Sequence, residues 1–69
     1  MPTESIRKAH LILQLIRSKG YLVNVIQDDF GVYHLNAYIG DHKQSRLSGS
    51  DLYVVAQELA TILGIHHAA

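Results

Sequence analysis

The chain has 69 residues, no cysteine, six Lys or Arg against six Asp or Glu, and a formal net charge of zero. A chain this short buries only about 60% of the surface its unfolded form exposes, so it makes one domain, 1–69, that needs support beyond a small core. Without cysteine that support is neither a disulfide nor a thiolate metal site, and a neutral chain has no global field to draw in nucleic acid or an anionic membrane. Oligomerisation is the favoured remedy, and a homodimer is its simplest form. No apolar run approaches the roughly 20 residues that cross a bilayer. The opening MPTESIRK lacks the form of a secretory signal, so a cytoplasmic location is expected.

The first helix is expected from about Glu4 to Lys19, after a short lead-in. Thr3 or Ser5 would cap it, and Gly20 would end it in the left-handed conformation. Ile6, Ala9, Ile12, Leu13 and Ile16 form one apolar stripe at helical spacing. Leu11 and Leu15 widen that stripe further than a single packing surface needs, which marks them as candidate interface residues. Arg7, His10, Gln14 and Arg17 share the narrow polar face that is left.

Tyr21–Gln27 and Val32–Ile39 are rich in β-branched and aromatic residues and flank Asp28-Asp29-Phe30-Gly31. This pattern predicts a β-hairpin about a type I turn, with Gly31 in the left-handed position of a bulge. If Asp28 pairs with Val32, Tyr21, Val23, Val25, Tyr33, Leu35, Ala37 and Ile39 share one apolar face that meets the core. The other face mixes Leu22, Asn24, Ile26, Val32, His34, Asn36 and Tyr38. It is too apolar for an ordinary wet surface, and Leu22, Ile26, Val32, His34 and Tyr38 complete the candidate interface. Gly40-Asp41 suits a tight primed turn. His42–Leu47 then returns either as a third, polar edge strand, with Lys43 and Arg46 as guards against edge-to-edge pairing, or as a plain loop, and the strand is the favoured reading.

Ser48-Gly49-Ser50 reads as a break, with Ser50 as cap of a second helix running to about Leu63. Leu52, Val55, Ala56, Leu59, Ile62 and Leu63 form its core face. Gly64 ends it, and Ile65 can fold back on its last turn. Residues 1–3 and 65–69 are expected to fray. The fold class is therefore α+β, a two-layer α-β-β-(β)-α arrangement in which two helices pack on one face of a small antiparallel sheet.

That element order, carried by GVYHLNAYIGD followed by SGSDLYVVAQELATILG, resembles the double-stranded RNA-binding domain over most of the chain. The family grips phosphates with lysines at the start of its last helix. The corresponding positions here are Ser50-Asp51-Leu52, so the resemblance is one of topology and carries over no residue. The stretch YLVNVIQDDFGVYHL is similar to the opening of HicB-type antitoxins, which join Y-x-V-x-V to D-x-G-x-Y; the leading helix here is out of place for that family.

Catalytic and metal chemistry find little footing. Asp28 and Asp29 are explained by turn chemistry. His66 and His67 are adjacent and point different ways, and His10, His34 and His42 do not share a face at ligand spacing. No cofactor is expected. The composition and pattern point to a non-enzymatic protein-interaction module, homodimeric or with an unidentified protein partner. The alternative is a nucleic-acid-binding protein using Arg7, His10, Gln14 and Arg17 together with Lys43 and Arg46.

Overall fold

Five elements follow one another in the computed structural model, which describes residues 2–65: α1 (Pro2–Ser18), β1 (Leu22–Gln27), β2 (Tyr33–Ile39), β3 (His42–Gly49) and α2 (Leu52–Ile62). The strands form one antiparallel sheet in the order β1-β2-β3. Both helices pack on the same face of it, with α1 against β1, α2 against β2 and β3, and the helices against each other. The expected two-layer α+β fold is thus observed, and the third strand with it.

The first hairpin has the register that its turn dictates. Val23 pairs with Ala37, Val25 with Leu35 and Gln27 with Tyr33. Asp28 N–H donates to Val32 O at 3.0 Å, and Gly31 N–H donates to Asp28 O at 3.1 Å. Gly31 adopts φ +80°, the left-handed conformation that such a turn needs and that glycine reaches without strain. One oxygen of the Asp28 carboxylate accepts from Phe30 N–H at 2.9 Å and Val32 N–H at 3.0 Å, so the side chain braces the turn from inside.

β3 is longer than the sequence suggests. The expected break at Ser48-Gly49 is instead the end of the strand, where Ser48 pairs with His34 and Gly49 with Tyr33. A Cβ on Gly49 would lie 2.6 Å from Val55 Cγ2, so the glycine lets α2 close onto the strand. Further along, Tyr38 pairs with Lys43 and Ala37 with Ser45, which leaves Gln44 as the extra residue of a β-bulge.

The helix ends differ from expectation at three points. α1 begins at Pro2, which suits the first turn because it has no N–H to leave unpaired, and Thr3 and Ser5 lie inside the helix rather than capping it. Asp51, not Ser50, caps α2: its carboxylate accepts from the N–H groups of Tyr53 and Val54. Leu63 is the C-terminal cap. Beyond it, Ile65 N–H reaches Ala60 O at 2.8 Å and Gly64 N–H reaches Thr61 O at 3.1 Å, the Gly-terminated arrangement expected there. Pro2 and Ile65, placed among the fraying ends by the sequence, are a helical residue and a buried one, while 1 and 66–69 lie outside the described residues.

Ala9, Ile12, Leu13 and Ile16 of α1, Val23, Leu35 and Ala37 of the sheet, and Leu52, Val55, Ala56, Leu59, Ala60 and Ile65 make the core. Ile39 and Ile62, expected on core faces, are 47% and 57% exposed. Ile39 is the last residue of β2, and Ile62 stands on the solvent side of the last turn of α2.

Candidate interaction surfaces

The sheet has a second face that no described element covers. Because side chains alternate along a strand, the pairing register fixes which residues occupy it. Three rows cross the strands: Leu22, Tyr38 and Lys43; Asn24, Asn36 and Arg46; Ile26, His34 and Ser48. Leu22 and Ile26 are 61% and 57% exposed. Lys43 Nζ lies 5.8 Å from the centroid of the Tyr38 ring, within range of a cation–π attraction. Of the sequence-derived interface set, Leu22, Ile26, His34 and Tyr38 therefore share this surface, and half-buried Val32 leads into it from the turn.

His34 is held at both nitrogens. Its Nε2 lies 3.0 Å from Asp28 Oδ2, and its Nδ1 lies 3.0 Å from Ser48 Oγ. A carboxylate on Nε2 keeps a hydrogen there, which leaves Nδ1 to accept from the serine hydroxyl in the neutral ring. The hydrogen bond from His34, followed by that from Val32 N–H, holds the Asp28 carboxyl below its ordinary value of 3.8. The residue types are those of a nucleophile relay. The chain of bonds lies on an open sheet where water has free access to Ser48, and its effect is to clamp the hairpin turn to the edge strand. Sequence reasoning missed this because Ser48 comes beside His34 only through the bulge at Gln44.

The solvent side of the helix layer is a separate surface. Leu11 is 58% exposed there, as its place outside the core stripe implied, and Val54 and Ile62 of α2 are 47% and 57% exposed. Leu15, grouped with Leu11 from the sequence, is only partly exposed because it packs against the core. Lys8 Nζ stands 5.9 Å from the Tyr53 ring, so this flank of α1 meets α2. On the other flank, Arg17 donates to Val23 O at 3.2 Å, which turns the polar stripe of Arg7, His10, Gln14 and Arg17 away from α2.

The structure divides the expected nucleic-acid set. Arg7, His10, Gln14 and Arg17 lie in the helix layer beside β1, whereas Lys43 and Arg46 project from β3 at the other edge and on the opposite face of the sheet. The six do not form one binding surface.

Among the described residues, no three His, Asp or Glu side chains come together as metal ligands, and no helix is long and apolar enough to cross a membrane. Comparisons with protein-family models, curated proteins and solved structures find no match for this chain.

Proposed function

We propose that the protein is a non-enzymatic interaction module that pairs with a second copy of itself through the helix layer and leaves the outer face of the sheet free for a partner. The observation that carries this reading is the trio Leu11, Val54 and Ile62, each about half exposed on the solvent side of the two helices. A 69-residue chain gains most from covering such a surface, because its own core is small.

Charge supports the same pairing. α1 carries Arg7, Lys8 and Arg17 against Glu4, while α2 carries Glu58 and no base. A two-fold axis that sets α1 of one copy against α2 of the other brings opposite charges to the rim of an apolar centre. The outer sheet face is a poorer surface for self-pairing. It holds Lys43 and Arg46, and the Asp28 carboxylate at its turn end is engaged by His34 and the turn. A cytoplasmic location belongs to this reading, since a chain without cysteine needs no oxidising compartment.

Sedimentation equilibrium over a dilution series, at low and high salt, tests the pairing. A dimer is expected, and Leu11→Asp/Ile62→Asp is expected to turn it into a monomer with an unchanged circular dichroism spectrum. Tyr38→Asp is expected to leave it a dimer. A wild-type chain that stays monomeric at every concentration would remove the dimer from this reading.

A further inference from the structure

We propose that the outer face of the sheet is a site for single-stranded nucleic acid, with Tyr38 as the stacking platform, Lys43 and Arg46 as phosphate contacts, and the Asn24–Asn36 pair and His34 facing the bases. This rests on reading that face as a recognition surface, and it does not depend on the dimer.

Three features select the partner. The first is charge. The face presents two cations, and both oxygens of Asp28 are already taken: one by the N–H groups of Phe30 and Val32, the other by His34. A partner must therefore bring its own negative charge. The second is the mixture of groups between the cations. Tyr38 offers a ring, and Asn24 and Asn36, directly paired across β1 and β2, offer amides that both donate and accept. An acidic peptide would engage the charges and pair its main chain with the amides but brings no flat ring to Tyr38, whereas a nucleotide has a flat base with polar edges beside each phosphate.

The third is arrangement. Tyr38, Asn36 and His34 stand at every second residue of β2, about 6.7 Å apart along a flat strand. Lys43 and Arg46 run alongside on the neighbouring strand, opposite Tyr38 and Asn36. A backbone laid along β3 with its bases turned over β2 meets a cation beside each of two successive base positions. The ammonium of Lys43 lies on a flexible stem over the Tyr38 ring, from which it can swing to the phosphate of a base stacked there. His34 is fixed by Asp28 and Ser48, so one of the base-facing groups costs little ordering on binding. A duplex keeps its bases stacked on each other and cannot lay one on Tyr38, which is why an unpaired strand is the ligand.

The test uses the full chain and fluorescein-labelled eight-nucleotide oligothymidylate and oligouridylate, read by fluorescence anisotropy across a salt series. Binding is expected to weaken with salt at a log–log slope of about −1.4, from two phosphate contacts at about −0.7 each, and Arg46→Gln is expected to halve that slope. Tyr38→Ala is expected to weaken binding about 5- to 150-fold while leaving the slope in place. Lys19→Gln, in the turn between α1 and β1, is expected to change neither. Absence of binding at low salt would overturn the proposal, as would equal affinity for a duplex of the same length or loss of binding in Lys19→Gln. Displacement of the strand by an equal charge of polyaspartate would also overturn it, but would leave the face as a recognition surface for an acidic protein. The dimer is measured separately by sedimentation, so failure of one reading does not obscure the other.

Discussion

Val23, Leu35 and Ala37 on the inner face of the sheet are at most 4% exposed, whereas Leu22 and Ile26 on its outer face are 61% and 57% exposed. The residues alternate along the same strands and differ little in chemistry. Their surroundings differ completely, because both helices pack on one side. The contrast teaches that apolar content alone does not distinguish the part of a strand that holds the fold from the part that is left exposed. The periodicity marks the two sets, and only the layer above each decides its role.

The comparison can be broken most directly at the inner face. Leu35→Ala removes a fully buried side chain and is expected to cost about 2–5 kcal/mol in urea unfolding, enough to leave much of so small a domain unfolded. Gly49→Ala acts at the seam between β3 and α2. The added methyl meets Val55 Cγ2, and the expected cost is about 1–3 kcal/mol, relieved in Gly49→Ala/Val55→Ala if the clash is the cause.

The clamp on the outer face predicts a pH effect. Asp28 titrates lower in the folded chain than its ordinary 3.8, so its bonds stabilise the fold above that value. That contribution is lost as the pH falls through the lowered folded-state value. Urea unfolding in a pH series is expected to show the loss in the wild type, and a smaller one in Asp28→Asn. Ile26→Ala should do least to stability, within about 0.5 kcal/mol, because the side chain is already mostly in water. A cost near that of Leu35→Ala would mean that something covers the outer face in the free protein.

Much of the fold is legible in the sequence where local chemistry and periodicity agree. Asp28 and Gly31 specify one turn, that turn sets the register of β1 on β2, and the register sorts the side chains to their faces. The reading falters where a residue answers to something distant. Gly49 looks like a break because the sequence does not display Val55 lying over it. Ile62 fits the helical stripe, but the last turn of α2 presents it to solvent. The partners of His34 are missed for a related reason. Strict pairing outward from Ile39 and His42 would set His34 opposite Leu47, and only the bulge brings it opposite Ser48. The wide apolar arc of α1 signals surplus surface correctly at Leu11, whereas Leu15 is claimed by the core.

The bulge has a consequence for how this chain tolerates changes in length. Gln44 has no partner on β2, so its removal would leave Lys43 opposite Tyr38 and Ser45 opposite Ala37, with every later pair intact. A one-residue deletion, which elsewhere in a strand reverses everything downstream, would here be silent for the arrangement of side chains. It would not be silent for solubility. Gln44 interrupts the outward row of backbone donors and acceptors on an edge strand, and a β3 made regular by its loss would offer that row unbroken to the strands of other molecules.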